Sequence, residues 1–306
     1  MSFLLSPAPH IRFHGSVPKV MLMVIISLLP ATMAGIYFFG LPAAIIIGLC
    51  VLTAVLTELV LNKIMKQEPT IADKSAALTG LLLALCLSPN VPYYQAILGT
   101  IFAIIIGKGL FGGLGYNIFN PALVGRAFLA AAFPVHMTSW VAPFAYRGVE
   151  AVTSATPLAA MKFSQLTTPH FNLLMGNVGG CIGETSAILL LLGGLFLIKI
   201  GVVNWRIPFS YLGTVAVLSG IFQQDPLFHL LAGGLMLGAF FMATDYVTSP
   251  LTNKGKWIFG VGAGLLVVII RLFSGLPEGV MYSILFMNAF VPLINRYTRP
   301  RIFGRQ

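Results

Sequence analysis

Residues 20–62 read VMLMVIISLLPATMAGIYFFGLPAAIIIGLCVLTAVLTELVLN, and Glu58 is the one charged side chain among them. A helix of about 20 apolar residues crosses the hydrocarbon of a bilayer. This stretch holds two such lengths, 20–39 and 41–62, parted by Gly40. The rest of the chain continues in the same way. Hydrophobic residues make up 58% of its 306 residues and charged ones 8%. An ordinary soluble domain is roughly 45–50% apolar and about 25% charged. So much apolar surface cannot all be hidden in a water-soluble core. The expected class is an all-α polytopic membrane protein.

Working outward, ten apolar segments stand out: 20–39, 41–62, 75–88, 94–111, 119–134, 184–199, 207–221, 228–243, 257–273 and 280–294. The net charge of +10 does not point to nucleic acid, because the charges sit between the apolar runs. They read as topology signals. With the N-terminus in the cytoplasm and strict alternation, only Arg126, Arg147, Lys162 and Arg271 of the 18 Lys and Arg fall outside that side. The positive-inside rule therefore favours ten spans with both termini cytoplasmic and the long loop 135–183 on the outer face. The implied organisation is a cytoplasmic lead (1–19), five spans (20–134), the outer loop (135–183), five more spans (184–294) and a basic tail (295–306). The apolar run after Arg12 and Lys19 is too long for a signal h-region, and no A-x-A site follows.

An odd number of spans in each half forces the halves into opposite orientation. Segments 3, 5, 8 and 10 are short, at matching places in the two halves. Short, interrupted segments at corresponding positions mark an inverted repeat with discontinuous helices. Two faint echoes agree: Thr79-Gly80-Leu81-Leu82-Leu83-Ala84 resembles Ala232-Gly233-Gly234-Leu235-Met236-Leu237, and Gly107–Gly112 resembles Ile270–Gly275.

Several patterns lead nowhere specific. Cys50, Cys86 and Cys181 form no C-x-x-C and no metal spacing. His10, His14, His136, His170 and His229 are scattered, without H-E-x-x-H or an i, i+4 pair. The glycine-rich Gly107–Gly115 follows an apolar helix and lacks the phosphate-loop order, so it reads as a break before segment 5. Asn120 then serves as N-cap with Pro121 in the first turn. Such a half-helix start offers free N–H groups to an anion or polar ligand.

Ionisable groups inside the membrane are functional candidates by default. Glu58 either snorkels to the inner interface or works within the bilayer. Asp73 and Lys74 form a possible local pair at the entry to segment 3. Arg126, within segment 5, is expected to face a cavity or a bound anionic group. Asp245, after segment 8, is either a solvated cap or part of a site.

The outer loop carries Glu150-Ala151-Val152-Thr153-Ser154-Ala155-Thr156-Pro157-Leu158. Pro157 pushes Thr156 towards an extended conformation. Its hydroxyl, among small neighbours, is expected to be within reach of a modifying enzyme. An ordinary polar loop capping the next helical stretch is the plainer alternative.

Residues 150–156 resemble the flavinylation motif D-G-x-[ST]-G-A-T, with Glu150, Ala151 and Ser154 as departures and Thr153, Ala155 and Thr156 as matches. Together with Phe119–Phe128 (FNPALVGRAF) and Thr244–Pro250 (TDYVTSP), the whole chain resembles the family of Rnf D subunits. It is similar also to the B subunits of sodium-pumping NADH:quinone reductases, but only 19 residues precede the first span, which favours the Rnf branch.

That resemblance implies a ten-helix inverted repeat in a bacterial inner membrane. It implies FMN joined to Thr156 by a phosphoester, a flavin transferase that installs it, and possible riboflavin nearer the cytoplasm. The chain would relay electrons within a complex that moves them between ferredoxin and NAD⁺ and pumps Na⁺ or H⁺. Ferredoxin and NAD would meet other membrane and peripheral subunits. Thr153, Ser154 and Ala155 would flank the attachment. Trp140, Phe144 and Tyr146 would offer stacking faces, and Arg126 or Arg147 would answer the phosphodiester charge. The alternative is a flavin-free transporter or channel of the urea or ammonium kind, built on the same repeat.

Overall fold

The structure, a computed structural model, describes residues 16–66, 70–145, 155–184 and 186–299. Among the described residues the elements are helices and turns, with no β-sheet. The first half comprises α1 (Val17–Phe39), α2 (Leu41–Ile64), α3 (Ser75–Leu85), α4 (Tyr93–Ile105) and α5 (Pro121–Ala132). A connecting region holds α6 (Pro134–Met137), α7 (Pro157–Ser164) and α8 (His170–Met175). The second half comprises α9 (Ala187–Lys199), α10 (Arg206–Ile221), α11 (Pro226–Leu231), α12 (Leu235–Leu237), α13 (Asn253–Phe273) and α14 (Val280–Thr298).

Four helices are long and apolar enough to cross a membrane: Val17–Phe39, Leu41–Ile64, Tyr93–Phe111 and Asn253–Phe273. Their outward faces carry Met33, Leu41, Leu52, Val60 and Ile258, each at least half exposed, which suits contact with lipid. The protein is polytopic and helical, as composition implies. The shorter segments are shielded by neighbours: in α3 every residue but Ala77 is buried. Only buried backbone tolerates breaks at membrane depth.

Segment 8 is discontinuous, as its shortness implied: α11 stops at Leu231, Gly233 takes φ +70, and α12 runs into a π-helical turn, Gly238–Met242. Segment 10 is not short, since α14 runs 19 residues to Thr298, with Pro292 inside it, beyond the limit placed at residue 294. Asn295 and Arg296 end the apolar run without ending the helix. Segments 3 and 5 are short helices as expected. Asn120 caps α5, its Oδ1 accepting from Ala122 and Leu123 N–H, with Pro121 at the first turn. The glycine break before it holds a 3₁₀ turn at Gly109–Phe111, with Gly112, Gly113 and Gly115 at positive φ.

The same neighbours recur in both halves. α2 packs on α3 and α4, and α4 on α5; α10 packs on α11 and α13, and α13 on α14. The halves meet where α1 packs on α9 and α5 on α14. Lipid gives helices no hydrophobic reason to associate, so close approach over small residues does the work. Gly260 and Gly264 of α13 face α10 in this way, a Cβ on Gly264 landing 2.8 Å from Tyr211 O. Gly80 of α3 lies against α2, where a Cβ would come within 2.6 Å of Cys50 O and 2.9 Å of Val51 Cα. Both are backbone atoms that cannot swing aside. Gly80→Ala is expected to destabilise the protein by about 1–3 kcal/mol. Gly48→Ala, which meets nothing within 4 Å, should change stability by no more than about 0.5 kcal/mol. Thermal melting of the two variants in detergent checks the contrast.

Candidate functional site

Thr156 precedes Pro157 in an extended conformation (φ −64°, ψ 154°), as the proline requires. It is the N-cap of α7, and its Oγ1 accepts from Ala159 N at 3.2 Å. Ala155 is exposed, but Thr156 is 2% exposed. This corrects the expectation of a hydroxyl on an open strand. The capping role turns the hydroxyl inward, onto its own helix. Thr153, Ser154, Tyr146 and Arg147 lie outside the described residues. Trp140 is buried. Phe144 is engaged with α1, its ring centroid 5.4 Å from that of Tyr37 and 5.3 Å from that of Phe38.

A lysine holds α7 in place. Lys162 Nζ donates to Arg271 O at 2.8 Å, Leu276 O at 3.1 Å and Ser274 O. These carbonyls lie at the C-terminal end of α13 and beyond it, where helical acceptors lack intrahelical partners. Leu158 of α7 sits over the break between α11 and α12; its Cδ1 would stand 2.7 Å from a Cβ on Gly233. Arg271 closes that break from α13. It donates to His229 O at 2.6 Å and Ala232 O at 3.0 Å, the free carbonyls where α11 ends.

On the other side of Gly234 lies a buried polar cluster. Arg126 of α5 donates to Glu278 Oε2 at 2.5 Å and reaches Cys181 Sγ at 3.5 Å. Glu184, in the turn Ile182–Glu184 before α9, accepts from Cys181 N at 3.3 Å through Oε2. Arg126 therefore does not wait for an external anion: a carboxylate 152 residues away in sequence already answers it. No local pattern in the sequence could have paired them.

A second charged network joins α2, α3 and the turn after α4. Lys108 Nζ lies 2.7 Å from Glu58 Oε1 and 2.5 Å from Ser75 Oγ. Thr70 Oγ1 also donates to Glu58 Oε1, and Asn62 donates to Thr70 at 2.9 Å. Glu58 is thus paired inside the protein rather than snorkelling. Asp73 does not pair with Lys74; it accepts from the N–H and hydroxyl of Ser75 at the start of α3.

Beside the Lys108 network the two halves enclose a cleft of about 70 Å³, lined by Lys108, Asn117, Asn120, Phe240, Phe241 and Asp245, among others. Asn120 donates to Met242 O at 3.3 Å. Asp245 accepts from Thr248 Oγ1 at 3.1 Å. Asn117 Oδ1 is buried without a donor. Asp245 thus lines the cleft, half-buried. The residues that sequence reasoning passed over here are Lys108, Arg271, Glu184, Glu278, Asn117 and Lys162. For Lys108 and Arg271 the signal was present, since both interrupt apolar segments.

A family profile described as the NQR2, RnfD, RnfE family matches residues 4–304. Among curated proteins, the chain is 49% identical to the D subunit of the Na⁺-translocating ferredoxin:NAD⁺ oxidoreductase complex of Acetobacterium woodii, over 99% of this chain and 96% of that one. It is 48% identical to the D subunit of the proton-translocating ferredoxin:NAD⁺ oxidoreductase complex of Clostridium ljungdahlii, with the same coverage. It is 37% identical to the D subunit of the ion-translocating oxidoreductase complex of Escherichia coli, over 100% and 99%. Full-length similarity on both sides, on a helical scaffold with a half-helix opened by Asn120-Pro121, establishes that the chain belongs to the NQR2, RnfD, RnfE family.

Proposed function

We propose that this chain is the D subunit of an ion-translocating ferredoxin:NAD⁺ oxidoreductase and carries FMN on Thr156 as a phosphoester. Its partners are then the other membrane and peripheral subunits, and through them ferredoxin and NAD⁺. The membrane is the bacterial inner membrane, with both termini cytoplasmic, α7 on the outer face and the two halves inverted about the membrane plane. The observation that carries the flavin assignment is the position of Thr156 at the head of α7, in register with the Ala-Thr end of the flavinylation pattern.

The residues suit a phosphoester in one respect and resist it in another. A bridging ester oxygen still accepts from Ala159 N–H, and a phosphate at a helix N-terminus meets a favourable dipole. Burial of the hydroxyl means that a flavin transferase must act before α7 docks, or must lift it off α13. Lys162 then fastens the loaded helix. The bound flavin supplies one- and two-electron redox chemistry; the protein holds it and excludes side reactions. Arg126 is given no phosphate to hold, because Glu278 has it.

The cleft between the halves is the place for a second flavin, riboflavin, on its lining chemistry. Asn117 Oδ1 lacks a donor and Asp245 offers acceptors for the edge of a ring, while Asn120 and Lys108 are already bonded within the protein. A room of about 70 Å³ is that of a few waters. Entry of the ring would require the wall of Phe240 and Phe241 to retreat.

Intact mass of the chain from cells that contain a flavin transferase tests the reading. An FMN ester mapped to the Thr156 peptide supports it. A chain weighing what its sequence dictates would leave the flavin-free transporter in its place. Identity to relatives does not choose the ion, because the sodium- and proton-translocating proteins match almost equally, at 49% and 48%.

A further inference from the structure

Two carboxylates meet at the seam of the halves in surroundings that leave them short of hydrogen-bond donors. Glu184 stands just before α9, Glu278 just before α14, and Arg126 projects from α5. One carboxylate oxygen of Glu184, one of Glu278 and the sulfur of Cys181 lie within 4.8 Å of one another. Glu184 is only 9% exposed. Each carboxylate keeps one buried oxygen, Oε1, with no hydrogen-bond donor. A buried acceptor left unmade is costly, and an ionised one more so.

The neighbouring charges come from every side. Arg126 is committed to Glu278 Oε2 and the Cys181 sulfur. Arg271, across Gly233 and Gly234, uses both terminal nitrogens on the carbonyls of His229 and Ala232. Its N–H groups thereby bond to the end of α11 and to neither carboxylate. Cys86 and Cys181 are buried, free thiols. Arg126 and Arg271 match the two carboxylates in number, but only Arg126 bonds to one of them, and the Oε1 atoms of Glu184 and Glu278 both stay without a donor. Arg126 already occupies the sulfur and one Glu278 oxygen, so the ligands that remain are oxygens, which suit a hard cation.

We propose that Glu184 and Glu278 together hold one monovalent cation, a proton or Na⁺, between the two halves of the protein. The proposal rests on the reading of this chain as part of an ion-translocating complex. It gives that complex an ion-binding station at the break between α11 and α12, beside the helix that begins with Thr156. Gly234 leaves the approach open: a Cβ there would stand 3.2 Å from Glu184 Oε1.

Infrared difference spectroscopy of the purified complex, with Na⁺ as the probe, reads the station. In Na⁺-free buffer near neutral pH, the wild type should show the C=O band of a buried carboxylic acid. If the site exchanges that proton for Na⁺, sodium chloride abolishes the band, choline chloride does not, and the complex retains radioactive Na⁺. If only the proton binds, the band disappears on raising the pH alone. Glu184→Gln and Glu278→Gln should each abolish the titration while flavin content stays at the wild-type level. Wild-type complex with neither the band nor retained Na⁺ would overturn the proposal, as would variants that respond like the wild type. So would stoichiometric zinc that is lost in Cys181→Ser. Should neither variant assemble, the wild-type measurements alone decide. Loss of flavin from the wild-type chain with the band intact would instead defeat the proposed function and spare the cation site.

Discussion

Thr156→Ala is expected to yield a chain of unmodified mass, without in-gel flavin fluorescence, in a complex whose ferredoxin:NAD⁺ activity falls to background. The structural cost of the change is small. Losing an N-cap oxygen costs about 1 kcal/mol, and α7 stays anchored through Lys162 on the end of α13. A folded, assembled, colourless chain is therefore the expected product. Thr156→Ser separates the two roles of the hydroxyl, since serine both caps and offers an attachment oxygen; it should keep fluorescence and activity. Thr153→Ala, three residues upstream in the same pattern, should keep the adduct. If the alanine variant at 156 retains a covalent flavin after denaturation, the attachment lies elsewhere. If it loses the flavin but keeps full activity, the chain is a scaffold rather than an electron carrier.

Much of this molecule was open to a reader of its sequence. Lipid as solvent followed from residues 20–62 and from the overall composition. The start of α5 followed from Asn120-Pro121, because an N-cap and a first-turn proline act locally. The extended setting of Thr156 followed from Pro157 for the same reason. The resemblance carried by residues 119–128, 150–156 and 244–250 gave the family, which the full-length comparisons bear out. What stayed hidden depends on contacts far apart in the chain. The pairing of Arg126 with Glu278 and of Glu58 with Lys108 joins residues on different helices. Burial of Thr156 goes with its hydroxyl capping α7, a helix that Lys162 ties to the end of α13. An interruption of segment 8 was expected, but not its place, because Gly233-Gly234 sits in an otherwise unbroken apolar string, where glycine is common at helix contacts and does not by itself mark a stop.

Lys108 shows why position relative to the membrane is not a sufficient account of a charge. Counted as a topology signal, it would be exchangeable for any side chain at a cost of tenths of a kcal/mol. In the structure its side chain is 4% exposed, as is that of Glu58, and the two atoms in contact are 2.7 Å apart. Removing one partner of such a pair strands the other charge in a medium that solvates it poorly. Lys108→Met is therefore expected to cost about 3–5 kcal/mol, read as a lowered melting temperature of the purified chain or as failure to assemble. Glu58 Oε2 already lacks a donor, so the stranded carboxylate would keep only Thr70. Glu58→Gln should cost less, because Lys108 keeps Ser75 as an acceptor at 2.5 Å. The double variant Glu58→Gln/Lys108→Met should regain most of the stability lost in the lysine variant. A coupling near zero across that cycle would mean that the pair contributes nothing beyond its separate members. The junction of α2, α3 and the turn after α4 would then be held by packing alone. A large coupling would instead make this network the fixed end against which the cleft and its glycine-rich turn are built.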